Sequence, residues 1–144
     1  MDKLTVTSVF NNGGKIPIKY TCDGDDINPP LTIKGIPKNT ETMVLIIDDP
    51  DAPSGTFDHW VVFNIPPKER IEEDSVPGIQ GLNSWKRDDY GGPCPPQGTH
   101  RYYFRAFALD TTLNLTAQAT KSDVISKMKN HVLAQGELMG VYSR

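Results

Sequence analysis

Asp49, Asp51, His59, His100 and Tyr102 are the residues whose types and spacing could do chemistry in this chain. The aspartates sit in Asp48-Asp49-Pro50-Asp51-Ala52-Pro53, and one histidine follows in Phe57-Asp58-His59-Trp60. The other opens His100-Arg101-Tyr102, directly after the Gly- and Pro-rich run from Gly91 to Gly98. Pro50 and Pro53 each fix φ and restrict the residue before them, so the carboxylates are rigidly held. Carboxylates keep neighbouring imidazoles charged. Charged imidazoles, a tyrosine hydroxyl and the amides of a Gly-Gly-Pro loop would together seat a phosphate-like anion. The same residues also have an ordinary reading. Asp before Pro starts turns, and a histidine in a β domain is often a satisfied hydrogen-bond partner.

Three other chemistries fit less well. Two histidines and two carboxylates suit a metal, but their spacing matches no local zinc pattern, and no cofactor is expected. Ser54 lacks a nucleophile elbow and reads as a Ser-Gly turn. Glycosidase carboxylates stand about 5–10 Å apart across a sugar, whereas Asp49 and Asp51 are local neighbours. The acidic loop from Cys22 to Pro30 lacks the ligand spacing of an EF-hand.

The elements that must position these residues are short. The apolar run Met43 to Ile47 and the run Trp60 to Phe63 read as two buried strands joined by a tight loop. Residues 100–110 form the clearest strand. Its period of two puts His100, Tyr102, Phe104 and Ala106 on one face and Arg101, Tyr103 and Arg105 on the other. Further strands are predicted over 4–10, 16–21, 31–34 and 138–143, with one or two helical turns over 68–74. A helix is predicted over 122–135, capped by Ser122 and closed by Gly136 at its C′ position. The long stretch 76–98 carries Trp85, Tyr90 and Pro93-Cys94-Pro95-Pro96 and reads as a pocket wall.

With 144 residues and 12 each of Gly and Pro, the chain reads as one mainly β domain spanning 1–144. The net charge of −3, without a basic stripe, argues against nucleic acid as a partner. The apolar runs are strand-sized, which argues against an integral membrane segment. No secretory signal is evident, so a cytoplasmic location is expected. Cys22 and Cys94 both lie in Pro- and Gly-containing loops. Two unlinked thiols are the expected state in a reducing compartment, with a bridge the open alternative.

Asp49-Pro50-Asp51-Ala52-Pro53, His59-Trp60-Val61-Val62-Phe63-Asn64 and the run from Gly91 to Tyr102 resemble the phosphatidylethanolamine-binding protein family, in its bacterial and archaeal Raf kinase inhibitor-like branch. Asn28-Pro29-Pro30-Leu31 and the ending from Gly140 to Arg144 fit as well. The resemblance implies a β fold with a large central antiparallel sheet, a smaller second sheet and one or two helices. It implies a small anion pocket, with Asp49, Ala52, Pro53 and His59 on one side and Gly92, Pro95, Pro96, His100 and Tyr102 on the other. Asp51 would brace the loop, and the helix predicted over 122–135 would cover part of the mouth.

Three functions follow as expectations. The first is non-catalytic binding of a small anionic or phosphorylated ligand, in which His100→Ala weakens binding at little cost in stability. The second is an inhibitor or scaffold for a partner kinase or protease. The third is an enzyme using Asp49 and His59 as an acid–base pair. A homodimer is compatible with each.

Overall fold

The computed structural model describes residues 2–144. In chain order its strands are Asp2–Lys3 (β1), Thr5–Thr7 (β2), Leu31–Lys34 (β3), Thr42–Asp49 (β4), Phe57–Ile65 (β5), Arg70–Ile71 (β6), Ile79–Gln80 (β7), Thr99–Leu109 (β8) and Val132–Ser143 (β9). One α-helix, Lys121–Met128 (α1), precedes β9. β4 is buried at every position, as an aliphatic run covered on both faces must be. It lies antiparallel between β5 and β8 in a six-stranded sheet of order β1-β9-β8-β4-β5-β7. A smaller sheet has the order β2-β3-β6. β1 runs parallel to β9, so the large sheet is mixed at that edge rather than wholly antiparallel.

The two faces of the large sheet have different cover. Met43, Leu45 and Ile47 pack with Trp60, Phe104, Leu31, Ile33 and Ile71, joining the large sheet to the small one. Val44 and Ile46 pack with Val61, Phe63 and Leu109 under Val124 and Met128 of α1. Full burial of each such side chain contributes about 1.5–3 kcal/mol, so both layers hold the sheet rigid. The inner layer ends at the tips of β4, β5 and β8, where the histidines lie.

Several predicted elements are replaced. Residues 4–10 do not form one strand. The chain leaves the large sheet after β1 and enters the small one at β2, with buried Leu4 at the crossing and its amide bonded to the Gln135 carbonyl. Residues 16–21 form one 3₁₀ turn at Ile18–Tyr20, because Pro17 leads out of extended pairing and its carbonyl accepts the Tyr20 amide. Residues 68–74 supply β6 instead of a helical turn, since Ile71 is needed in the small sheet opposite Leu31. The helix is eight residues long and begins earlier than predicted. Thr120 caps it in a reciprocal box with Asp123, and Ser122 lies inside. Beyond Met128 the apolar spacing of Val132 and Leu133 suits a helix, yet β9 starts at Val132 and pairs along the whole of β8. Gly136 is therefore a strand residue. A Cβ there would collide with the Leu4 carbonyl, so close approach of β1–β2 to β9 demands glycine.

Candidate functional site

Asp49, His59, His100 and Tyr102 meet at one end of the inner face. Alternation along β4 sends Asp48 to the outer face and Asp49 to the inner one, as it does for Tyr103 and Tyr102 on β8. His59 arrives by a different device. Ile47 pairs with Trp60 and Asp48 with Asp58, so β5 carries one extra residue at that step, and the extra residue is His59. This bulge turns its imidazole towards the Tyr102 ring, with centroids 5.3 Å apart.

These groups line a cavity of about 360 Å³ with Ala52, Pro53, Ser54, Gly55, Thr56, Phe57, Trp85, Cys94, Pro95 and Pro96. Two larger hollows, of about 670 and 750 Å³, lie elsewhere on the surface. Their charged groups neutralise one another, as in Arg105 with Glu137 and Arg87 with Asp89. We therefore place the site by chemistry rather than size.

Of Asp49, His59, His100 and Tyr102, all but Tyr102 hydrogen-bond to the wall or to one another. His100 Nδ1 lies 2.7 Å from Asp49 Oδ2, and the other Asp49 oxygen accepts the Asp51 amide at 2.7 Å. His59 Nδ1 donates to the Gly91 carbonyl at 2.8 Å, since a carbonyl only accepts. Both imidazoles thus keep Nε2 as the uncommitted nitrogen. Burial pushes His59 below the ordinary histidine range, against the raising effects of Gly91 and Asp49, so it is neutral at pH 7. The Tyr102 hydroxyl is fully buried and has no partner of good geometry. Burial, then the Asp49 charge, pushes its ionisation upwards, so it stays a hydroxyl. Among the described residues, no group of three or more His, Cys, Asp and Glu is arranged to hold a metal ion.

Two predicted site residues lie outside the cavity lining. Asp51 turns to the rim, where its carboxylate grips Arg101 at 2.8 and 2.9 Å, which lowers its pKa to about 2. It ties the loop to Arg101 and leaves the cavity to Asp49. Gly92 is structural. Its amide donates to Asp26 Oδ1 at 2.7 Å, and a Cβ would collide with the Tyr20 carbonyl. The Gly91 amide is also taken, by the His59 carbonyl at 3.2 Å. The Gly-Gly-Pro loop therefore offers no free amide from these two glycines. Nor does α1 cover the mouth, because it packs on the opposite face.

Ser54, which reads in sequence as a turn residue, lines the cavity together with Gly55, Thr56 and Phe57, and contiguity with Pro53 was the available signal. Trp85 stands 38% exposed in the wall, held edge-on to Phe57 and His59 by a turn built on buried Asn83. Tyr90 lies beneath the wall against Trp60 and donates to the Tyr20 carbonyl. The two cysteines are bonded to each other, so the expected free thiols are absent.

Comparison with known proteins gives the family and the fold. A family model described as phosphatidylethanolamine-binding protein matches residues 6–143. A UPF0098 protein of Pyrococcus abyssi is 47% identical, covering 99% of this chain and 86% of its own. One from Chlamydia trachomatis is 39% identical over 96% of this chain and 97% of its own. The crystal structure of a phosphatidylethanolamine-binding protein homologue from Chlamydia trachomatis superposes with a TM-score of 0.95, at 38% identity, over 100% of this chain and 99% of that one. The structure of E. coli YbcL, described as a member of the mammalian family, gives 0.90 at 27% identity, covering 99% of each chain.

Proposed function

We propose a ligand-binding role from one premise: the chain belongs to the phosphatidylethanolamine-binding protein family. We infer that the cavity binds a small phosphate-like or other oxyanion, without catalysis. The observation that carries this reading is the Tyr102 hydroxyl. It is buried, unpartnered and set between two imidazoles whose Nδ1 atoms are already used. A buried polar group without a partner is costly, and a ligand oxygen would relieve that cost.

The donor set also constrains the ligand's protonation. With neutral imidazoles, both Nε2 atoms accept, so an approaching phosphate must bring a proton or the site must gain one. Binding is then coupled to proton uptake and weakens as pH rises through the histidine range. Ala52, Pro53, Pro95, Pro96, Phe57 and Trp85 surround the polar floor and suit the organic part of a headgroup-sized ester.

A titration with inorganic phosphate and phosphoethanolamine, followed by imidazole NMR, tests the reading. Saturable shifts at His59 and His100 are expected, with exposed His131, paired to Asp110, as the unmoved control. No shift at millimolar ligand would overturn it. The exposed Trp85 and mouth prolines would then favour contact with a protein partner such as a kinase or protease.

A further inference from the structure

The disulfide sits in the wall of the cavity, and the wall has little else to hold it. Pro93, Pro95 and Pro96 have no amide hydrogen to give. Among the described residues, one main-chain hydrogen bond reaches residues 93–97, from the Cys22 amide to the Pro93 carbonyl at 3.2 Å. Asp26 holds the Gly92 end, and paired hydrogen bonds between Gly98 and Arg144 hold the other. Between those anchors, the Cys22–Cys94 bond is the covalent tether, across 72 positions of sequence.

Two features make this bond reactive by position. Cys22 is exposed, whereas Cys94 is half-buried and lines the cavity, so a reductant meets Cys22 first. Arg144 Nη1 lies 3.2 Å from Cys94 Sγ and 3.8 Å from Cys22 Sγ. A guanidinium at that range stabilises a departing thiolate, and a better leaving thiolate speeds exchange.

We propose, resting on the ligand-binding reading, that the Cys22–Cys94 bond is a reducible clamp that sets the affinity of the cavity. One thiolate of a small or protein dithiol attacks the exposed Cys22 Sγ. A mixed disulfide forms on Cys22 as its bond to Cys94 breaks, and the electron pair leaves on Cys94, 3.2 Å from Arg144. The dithiol's second thiolate then attacks the dithiol sulfur of the mixed disulfide, closing the dithiol to a disulfide and releasing Cys22. Two electrons pass to the protein, and the protons lost by the dithiol are matched by those taken up by the two cysteines. The freed wall, carrying Pro95 and Pro96, no longer closes on Asp49, His100 and Tyr102. Linkage makes the effect reciprocal: a bound anion favours the oxidised state by the factor that oxidation favours the anion.

The test uses the full chain, oxidised or reduced by dithiothreitol, with inorganic phosphate as probe and His100 NMR shifts as readout. Reduction is expected to weaken phosphate at least tenfold, and a Cys22→Ser/Cys94→Ser variant to match the reduced protein. In a dithiothreitol redox buffer, with thiols trapped and counted by mass, phosphate saturating both states should raise the oxidised-to-reduced ratio by the same factor. Arg144→Gln should slow reduction several-fold, where mere loosening of the wall would speed it. Equal affinity in the two states would overturn the clamp while leaving the anion site intact. A reduced chain that unfolds would overturn it too, making the bond a staple of the whole fold. If the oxidised protein binds no phosphate, the clamp falls together with the proposed function.

Discussion

Asp49 and His100, 51 positions apart in sequence, form a buried carboxylate–imidazole pair at 2.7 Å. Their side chains are 4% and 9% exposed, so neither has water to replace the other. The Asp51 amide occupies the second Asp49 oxygen and completes the arrangement. One contact thereby orients His100, satisfies Asp49 and ties the tip of β4 to β8.

Losing the imidazole should therefore cost stability, contrary to the expectation from sequence. His100→Ala leaves a buried carboxylate oxygen without its donor, a loss of about 1–3 kcal/mol. A lowered urea midpoint with an unchanged slope should appear together with loss of phosphate binding. An unchanged midpoint would mean that solvent enters and replaces the ring.

Tyr102→Phe should separate site from scaffold in the opposite direction. Removing an unpartnered buried hydroxyl should leave stability unchanged or raise it by up to about 1 kcal/mol. Phosphate affinity should fall about tenfold, the worth of one hydrogen bond to a charged group of about 1.5 kcal/mol. Calorimetry of the empty protein decides the first half; a clear destabilisation would show that Asp49 or the Cys94 main chain already holds the hydroxyl.

Burial of His59 gives stability a pH dependence of defined sign. Its folded value is depressed, so below about pH 6.5 the unfolded chain binds a proton that the native state refuses. The stabilising contribution is complete above that pH and is lost as pH falls towards the folded value. The melting temperature should drop between pH 7.5 and 5.5, and His59→Gln should flatten that part of the profile. Identical profiles for the two proteins would assign the drop to other groups.

Gly92→Ala should act through the scaffold alone. Its Cβ would meet the Tyr20 carbonyl and Asp26 Oδ1, and backbone shifts of this kind cost about 1–3 kcal/mol. Thermal unfolding should register that loss, with residual phosphate affinity in the folded fraction. A stable variant that fails to bind would return Gly92 to the ligand site.

What the sequence determined by itself was local. Continuous apolar runs made β4 and β5 buried strands, and period two placed His100 and Tyr102 on the face opposite Arg101 and Arg105. Proline spacing made the Asp49–Pro53 and Pro93–Pro96 segments rigid walls. Tertiary structure decided the rest, because hydrogen-bond partners and register are non-local. The extra residue at His59 exists only relative to β4, and a one-residue slip sends a side chain to the other face. Asp51 turned to Arg101, and the Gly91 and Gly92 amides went to His59 and Asp26, because those partners were brought within reach by folding. Val132 and Leu133 joined a strand because β8 offered unpaired backbone along its whole length, and that pairing outweighed helical spacing. Cys22 and Cys94 met for the same reason: two loops, each uninformative alone, were brought together by the sheets beneath them, and Cys94 lines the cavity.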